Sequence, residues 1–420
     1  MAGKLENSAI CFGFFKGGSG GGGGGGGIWG IPDAAGTYTY YDTIALANAA
    51  ASSGDTIELF ADVDETNAVE WVLKDGVIYN MNGHTYTLNV ATTEDAVTDN
   101  NVAGTFRIMN GTIARRGGTA SNSNSQALQI FNASSELLLE SVECNSDFGM
   151  VSKIGGLVNG GTFRGTRLAF SSQAHTIRLQ NGTLRNAQAY AVGCNAISCS
   201  STIEMSNCYA YSQNTSAIFS NSSATLMIDC VGETDAQYGI YANGSGTLVG
   251  CVGISSAQAG IYSRGKMLDC TGIGLAQSGI NYLPTSAGSS MEGCSAYSYT
   301  STALQIQNNN AIVKNCTASS KVSSAVKTAG YIYDCVFEGL QGASSAHAIV
   351  LQNSPFDTFV ISGCTLKVNN ASAYCIEATT TRSVNLLNNV YVGATTPVNT
   401  TNITNTQTNT KDTFGNIEVG

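Results

Sequence analysis

Eight cysteines between residues 208 and 364 are the residues whose type and spacing first suggest chemistry. Thiols at a regular interval could form disulfides, bind a soft metal ion or act as redox centres. However, the 13 cysteines of the chain are an odd number, and they include no Cys-x-x-Cys pair and no Cys/His ligand set. We therefore expect no disulfide framework, no metal and no cofactor, and we predict that these cysteines are small buried residues. They are Cys208, Cys230, Cys251, Cys270, Cys294, Cys316, Cys335 and Cys364.

Carboxylates offer a second chemistry. Asp229 and Asp269 directly precede two of these cysteines, and Glu233 and Asp235 follow shortly after Asp229. Carboxylate pairs hydrolyse glycosidic bonds when their separation suits the attack of water or of the carboxylate itself. All four are therefore weak catalytic candidates. The competing interpretation, which we prefer, is that aspartate before the cysteine serves a backbone turn and that the other two are solvated charges. We commit to no catalytic residue.

Aromatic and basic side chains form a third group of candidates. Outward-facing tyrosine rings could stack on sugar rings or pack against a neighbouring subunit, and both interpretations stay open. We expect the arginines to stack as a basic stripe that attracts acidic polysaccharide. The tyrosines are Tyr209, Tyr211, Tyr238, Tyr241, Tyr262, Tyr282, Tyr297 and Tyr299, and the arginines are Arg115, Arg116, Arg164, Arg167 and Arg185.

The residues around each cysteine predict the elements that hold these groups. The position before the cysteine is always Asn, Asp or Gly, the types that most easily adopt a left-handed backbone conformation. The third position before it is apolar, and the second position after it is small or apolar. This pattern predicts two strands joined by a one-residue corner. The same template fits with glycine at Gly111 and Gly182, loosely at Gly161, and with valine at Val390, whereas Cys144 departs from it.

A second strand signature lies upstream of each cysteine motif. Three short strands per repeat of about 22 residues, with one fixed corner and one loop of variable length, indicate a solenoid. This repeat resembles the right-handed parallel β-helix (pectate-lyase-like) family, and especially bacteriophage tailspike and tail fibre proteins. The resemblance covers roughly residues 37–395 and rests on repeat architecture, without a catalytic signature. The second signature is centred on Ile218, Ile240, Ile261, Ile280, Leu304, Val326, Ile349 and Ile376.

The resulting expectation is an all-β, single-stranded solenoid of about 12–13 coils. Residues 1–36 would be a glycine-rich N-terminal anchor or linker, 37–395 the β-helix, and 396–420 an Asn/Thr-rich tail or cap. An alanine-rich segment from Tyr41 to Ser53 predicts a short helix, closed by Gly54, in which Ile44 and Leu46 face one way. Such a helix would cover the open first edge of the coil.

Composition excludes several classes of partner. Only 11% of the residues are charged, against about 25% in ordinary globular domains. The net charge of −10 disfavours a phosphate-binding surface, so we expect no nucleic-acid partner. We also expect no membrane span, because no apolar run reaches about 18 residues.

The resemblance implies a virion structural protein, like a tailspike or tail fibre, that binds a host surface polysaccharide during adsorption. It also implies a homotrimer, assembled in the bacterial host cytoplasm and attached to other virion proteins through residues 1–30. Two alternatives stay open. One is a polysaccharide depolymerase, either a lyase or a glycoside hydrolase, and the other is a non-enzymatic capsid or tail decoration. We prefer a non-enzymatic binding role.

Overall fold

The computed structural model describes residues 26–419, except for 92–93, 118–125, 148–149, 166–174, 286–288, 309–310, 329, 341–345, 352–357, 379–381, 397, 400, 402 and 406–416. Most of the predicted N-terminal anchor, much of the predicted tail and Arg167 therefore lie outside the described residues. The described chain is an all-β parallel solenoid of about 13 turns, which confirms the predicted fold class.

Each turn contributes strands to three faces, which we call A, B and C in the order in which the chain passes them. Three long strands bend through the corner and belong to both face A and face B; they are β9 (Thr105–Arg116), β11 (Glu136–Ser146) and β13 (Leu157–Gly165). The other strands of face A are β3 (Thr56–Leu59), β6 (Ile78–Asn80), β15 (Thr183–Arg185), β18 (Ile203–Ser206), β21 (Thr225–Ile228), β24 (Thr247–Val249), β27 (Lys266–Leu268), β30 (Ser290–Glu292), β33 (Ile312–Lys314), β36 (Tyr331–Tyr333), β39 (Thr358–Ser362), β42 (Arg382–Leu387) and β44 (Ile403–Asn405).

Faces B and C stack in the same parallel manner. The other strands of face B are β4 (Val63–Glu65), β7 (Thr85–Asn89), β16 (Gln188–Ala191), β19 (Tyr209–Ser212), β22 (Val231–Thr234), β25 (Val252–Ser255), β28 (Thr271–Gly274), β31 (Ser295–Ser298), β34 (Thr317–Ser320), β37 (Val336–Gly339), β40 (Thr365–Val368), β43 (Val390–Val392) and β45 (Ile417–Val419). Face C consists of β5 (Trp71–Val72), β8 (Val97–Thr98), β10 (Leu128–Ile130), β12 (Ser152–Ile154), β14 (His175–Leu179), β17 (Asn195–Cys199), β20 (Ile218–Ser220), β23 (Ile240–Ala242), β26 (Ile261–Ser263), β29 (Ile280–Tyr282), β32 (Leu304–Ile306), β35 (Val326–Thr328), β38 (Ile349–Leu351) and β41 (Ile376–Ala378).

The predicted one-residue corner separates face A from face B. All eight residues that precede the repeat cysteines have φ between 51° and 68°, inside the left-handed region. The eight cysteines are at most 1% exposed, and the apolar residues three positions earlier are equally buried. Both parts of the cysteine template are therefore confirmed, as is the second signature, whose residues begin the stacked face-C strands from Ile218 to Ile376.

Two of the positions at which we matched glycine or valine to the cysteine template have the wrong register. Leu184 pairs with Met205, so Ala187 occupies the cysteine position of its coil and Gly182 does not. Val390 pairs with Thr365, so the buried Asn389 occupies that position one residue earlier than predicted.

The two matches to the cysteine template that lie earlier in the chain keep the predicted register. Gly111 follows a left-handed Asn110, and Gly161 follows a left-handed Gly160. In β11, Ser141 is the left-handed corner and Cys144 lies further along face B, where it pairs with Ile113. The departure of Cys144 from the template is thus explained by its place on the following strand.

Cysteines and one asparagine form a continuous inner column beside the corner. The Sγ of Cys251 lies 3.5 Å from the carbonyl oxygen of Met227 in the preceding coil, and Cys294 Sγ accepts a hydrogen bond from the amide of Cys270. All twelve cysteines that the structure describes, in this column and elsewhere, are buried free thiols. Burial raises the pKa of the Cys144 and Cys199 thiols, which suppresses the reactive thiolate.

A hairpin and a helix cover the N-terminal end. Strand β1 (Trp29–Pro32) pairs antiparallel with β2 (Tyr38–Tyr41) and with β3, so it closes the edge of the first coil. Helix α1 (Ile44–Ala50) begins after Thr43, whose hydroxyl accepts the Leu46 N–H, and it buries Ile44. Leu46 points outward with 55% exposure, contrary to our prediction. The helix ends before an extended Ala51, so Gly54 does not close it.

Described parts of the C-terminal segment continue the stack. Strands β44 and β45 pair with β42 and β43, respectively, and extend faces A and B by one further rung. Within the described ranges, no helix is long and apolar enough to cross a membrane.

Candidate functional site

The candidate carboxylates lie on two different parts of the coil. Asp229 and Asp269 are exposed corner residues two coils apart, each with a left-handed φ of 51°. Each carboxylate lies over a glycine corner in the next coil, so that a Cβ added to Gly250 or Gly293 would meet an aspartate oxygen at 2.1 Å. These positions are fully explained by corner geometry and by the alternation of aspartate with glycine.

Glu233 and Asp235 lie on the outer side of face B, where each accepts a hydrogen bond from a tyrosine. The hydroxyl of Tyr209 donates to Glu233 at 2.9 Å, and that of Tyr211 donates to Asp235 at 2.7 Å. Burial, together with the bond to Glu233, raises the pKa of Tyr209. The bond to Asp235 raises the pKa of Tyr211 to about 12. Both phenols therefore stay protonated and hold the carboxylates in fixed positions.

The predicted face-C tyrosines stack on one another. The rings of Tyr241 and Tyr262 lie 4.7 Å apart with an interplanar angle of 18°, and Phe219 stacks on Tyr241 at 5.2 Å and 11°. Tyr238 packs against Tyr241 and Tyr262 at tilted angles. Because each face of Tyr241 is occupied by a neighbouring ring, Tyr241 stabilises the sheet and offers no free face to a sugar.

The remaining predicted tyrosines divide between core and surface. Tyr282 is fully buried and points inward, so it contacts neither a glycan nor a subunit, contrary to our prediction. Tyr297 points outward from face B, and Tyr299 follows it with 44% exposure. The amine of Lys321 lies 4.0 Å from the Tyr299 ring centroid and donates to its hydroxyl.

Ion pairing neutralises the predicted basic stripe. Arg115 is buried at 2% exposure and donates to backbone carbonyls, including those of Leu88 and Val90. The other described arginines of the stripe each face a carboxylate in a neighbouring coil; the pairs are Arg116 with Asp147, Arg164 with Glu143, and Arg185 with Glu204. The expectation of a free basic stripe is therefore wrong for the described residues.

A groove of about 630 Å³ opens on the outside of the long strands β9, β11 and β13. Its lining includes four glycines, Gly83, Gly111, Gly160 and Gly161. Polar side chains line the walls; they include Thr112, Ser141, Glu143, Thr162, Arg164 and Gln188. The volume falls within the range of small-molecule sites, and the lining offers many hydrogen-bonding groups.

A chain of side-chain contacts leads from this groove along face B. Arg164 Nε donates to Glu143 at 3.1 Å, and its guanidinium lies 4.5 Å from the ring centroid of Tyr190. Tyr190 packs against Tyr209 with ring centroids 5.8 Å apart, and Tyr209 binds Glu233. We call Arg164, Tyr190, Tyr209 and Tyr211 the aromatic band. The groove and the band together form one polar and aromatic surface across neighbouring coils.

The sequence interpretation missed the groove and Tyr190. The glycines at Gly111 and Gly161 gave no signal for the groove, because a Cβ added there would meet the buried side chain of Met81 or Leu139. The pairing of Glu143 with Arg164 had no sequence signal, because it depends on strand register.

No family model and no curated protein matches this chain. Among solved structures, the chain is similar to the A-module of the mannuronan C-5 epimerase AlgE6 of Azotobacter vinelandii, at 12% identity, 90% coverage of this chain, 93% of that chain and a TM-score of 0.33. It is similar to ORF18 of Geobacillus virus E2, with 12% identity, coverages of 78% and 56%, and a TM-score of 0.24. It is also similar to the catalytic domain of a GH87 α-1,3-glucanase, with 10% identity, coverages of 86% and 64%, and a TM-score of 0.25. The fold assignment itself rests on the strand pairing of this chain.

Other titratable clusters do not form a metal site. Among the described residues, no group of three or more His, Cys, Asp or Glu side chains is placed to hold a metal ion. His347 is buried and fully engaged, because Nε2 lies 2.8 Å from Glu377 and Nδ1 accepts the amide of Tyr374. Burial lowers the pKa of His175 to about 4, so this side chain is neutral at physiological pH.

Asp95 is a buried carboxyl near the start of face C. Burial raises its pKa to about 7, the Gln126 N–H opposes this shift, and the charge of Glu70 reinforces it. Because the folded-state pKa exceeds the unfolded value, the stabilising contribution is complete below pH 4 and is lost as the pH rises through 7. Asp95→Asn keeps an oxygen for the Gln126 N–H, which donates at 2.8 Å, and should remove this pH dependence.

We expect the stability of Asp95→Asn relative to wild type to rise between pH 4 and pH 8 by up to roughly 4 kcal/mol. Urea unfolding of both proteins across this range measures the difference. Asp42→Asn, a change at an exposed residue, serves as the control and should give no pH-dependent difference. Parallel pH profiles for Asp95→Asn and wild type would show that the carboxyl is ionised in the folded protein well below pH 7.

Proposed function

We propose that this protein binds a glycan along face B, in the groove and on the aromatic band. The observation that carries the proposal is that the groove and the aromatic band are continuous with each other. A polar groove lined in part by glycines opens onto Tyr190 and Tyr209, which contact Arg164 and Glu233, respectively. Sugars combine hydroxyl groups with apolar ring faces, and a surface of amide, hydroxyl and aromatic groups matches both.

Binding is favoured over cleavage by the carboxylates at the site. In the part of the chain that the structure describes, Glu143 is the single carboxylate that lines the groove, and it is paired with Arg164. Hydrolysis of a glycosidic bond normally needs two carboxylates on either side of that bond. Glu233 and Asp235 are engaged by tyrosine hydroxyls, and Asp229 and Asp269 lie at corners.

The biological setting that we propose is a bacteriophage particle, with this chain as a tailspike-like or fibre-like component that contacts a host surface polysaccharide. The repeat pattern is the basis for this setting, and the glycan site does not depend on it. A rigid solenoid presents repeated contacts along a polymer, which suits adsorption through many weak interactions. Residues 1–30 would attach the rod to other virion proteins.

We further propose that the rod assembles as a homotrimer. Beyond the aromatic band, face B presents apolar side chains outward from successive coils, among them Val252, Ile254, Ile273 and the 44% exposed Leu275. Apolar residues grouped on a surface rich in Ser, Thr and Asn are typical of a protein contact. Light scattering of the purified chain should give the mass of three copies, and a monomeric mass would contradict this part of the proposal.

Removal of one ring tests the glycan site. Tyr190→Ala should weaken glycan binding about tenfold, or about 1.4 kcal/mol, because it removes the ring between Arg164 and Tyr209. Calorimetric titration against polysaccharides from the host surface measures the change. The control is Tyr331→Ala, which removes an outward tyrosine on face A. Equal affinities for wild type and Tyr190→Ala would place the ligand elsewhere.

A further inference from the structure

We propose that the ion pair between Glu143 and Arg164 makes the groove selective for neutral glycans and against acidic ones. This inference rests on the proposed glycan-binding function and specifies the class of ligand. The two residues are the only charged side chains among the described residues that line the groove. Their charges cancel, so the groove offers hydrogen bonds to a sugar without a net attraction for an anion.

The Arg164 guanidinium makes two contacts, one with a carboxylate and one with an aromatic ring. Its Nε donates to a Glu143 oxygen at 3.1 Å, and its central carbon lies 4.5 Å from the centroid of the Tyr190 ring. A uronate carboxylate that approached the arginine would have to displace Glu143 or lie next to it. Two carboxylates that share one arginine repel each other, so an acidic sugar gains little from Arg164.

The charges next to the groove are balanced in the same way. Arg107 pairs with Glu140 at 2.5 Å on the face-A side, and Arg185 pairs with Glu204 at 2.9 Å in the following coils. Of the described arginines next to the groove, Arg107 and Arg185 are thus paired and do not compensate for the negative charge of Glu143. The protein as a whole carries a net charge of −10, which further disfavours a polyanion.

The uncharged part of the lining matches hydroxyl groups. Thr112, Ser141 and Thr162 each present a hydroxyl, and Gln188 presents an amide whose oxygen accepts a hydrogen bond from the Tyr190 hydroxyl. Such groups donate and accept with equal ease, as do the hydroxyls of a neutral sugar. The groove thus offers hydrogen bonds to a neutral sugar. The paired charges of Glu143 and Arg164 offer little attraction to an acidic sugar.

Glu143→Gln tests the inference, because it removes one negative charge and keeps the shape of the side chain. We expect the variant to gain at least tenfold in affinity for a polyuronate such as polymannuronate, with a strong dependence on salt. Affinity for neutral polymers, tested with dextran, mannan and galactan, should change less than threefold. Calorimetry at low and high ionic strength, with thermal melting to confirm folding, provides the measurements.

Glu204→Gln is the matched control, since it removes the partner of Arg185 outside the groove. It has the same change in net charge and should leave polyuronate affinity unchanged. If wild type binds polyuronate as tightly as neutral polymers, or if both variants gain equally, the selectivity inference is wrong while glycan binding stands. If neither wild type nor Glu143→Gln binds any of these polymers, the proposed function fails and the inference fails with it.

Discussion

Gly253→Val should prevent stable folding of the solenoid. A Cβ added at Gly253 would lie 2.3 Å from the carbonyl oxygen of Gly260 and 2.5 Å from a side-chain carbon of Ile261. The facing glycine is equally constrained, because a Cβ at Gly260 would lie 2.4 Å from the Gly253 oxygen. The obstacle is mainly the backbone of the same coil, which can move only if faces B and C separate at that level. We expect a loss of at least about 4 kcal/mol, seen as a collapse in melting temperature or in soluble yield.

The same position in later coils supplies the control. Strand pairing aligns Gly253 with Gly272, Ala296 and Ala318, and aligns Gly260 with Gly279, Ala303 and Ala325. Small residues therefore face one another at each level, glycine with glycine and alanine with alanine. Ala318→Gly should cost only about 1 kcal/mol, because it removes a methyl group without creating a collision. A Gly253→Val protein that melts within a few degrees of wild type would contradict this packing.

Asn389→Leu is expected to destabilise the solenoid strongly at every pH. Asn389 is fully buried and takes the place of a cysteine in the inner column. Its side-chain oxygen accepts the amide of Cys364 at 3.0 Å, and its side-chain nitrogen donates to the Ile361 carbonyl at 2.9 Å. Leucine has a similar volume but leaves both backbone groups without these bonds. We expect a loss of about 2–4 kcal/mol in urea unfolding.

Asn389→Cys should restore most of that stability, because cysteine makes the same two contacts elsewhere in the column. Cys335 Sγ accepts the amide of Cys316, and Cys316 Sγ lies 3.6 Å from the carbonyl oxygen of Met291. The cysteine variant should therefore lie within about 1 kcal/mol of wild type. If Asn389→Leu is as stable as Asn389→Cys, the column is held by side-chain volume and not by these hydrogen bonds.

The fold was predictable because its corner demands particular residues. A left-handed backbone at Asp269 or Gly293 selects Asp, Asn or Gly, and the inner position that follows selects a small side chain, so the coil repeats itself in the sequence. The predicted register was wrong where a local left-handed residue suggested a different alignment from the one that strand pairing sets. Asn181 also adopts a left-handed conformation before Gly182, yet the coil is aligned by the pairing of Leu184 with Met205. Asn389 was missed because a buried amide does not resemble a thiol.

The site was much less predictable than the fold. Glu143 and Arg164 are 21 residues apart, and only the register of β11 against β13 brings their side chains together. Strand alternation identifies which tyrosines point outward, but it does not determine what their rings contact. Tyr241 and Tyr262 occupy the same position on adjacent coils and therefore stack on each other, whereas Tyr209 and Tyr211 turn towards carboxylates.

Hydroxyl-radical footprinting of tyrosines, with and without bound glycan, tests most directly whether the ligand occupies face B. Tyr190 and Tyr209 should become protected when polysaccharide is added, and in Tyr190→Ala the protection of Tyr209 should weaken at the same polysaccharide concentration. Tyr241 on face C and Tyr331 on face A should react equally with and without ligand. Protection of Tyr241 while Tyr190 stays unchanged would move the binding surface to face C and contradict the assignment of the groove.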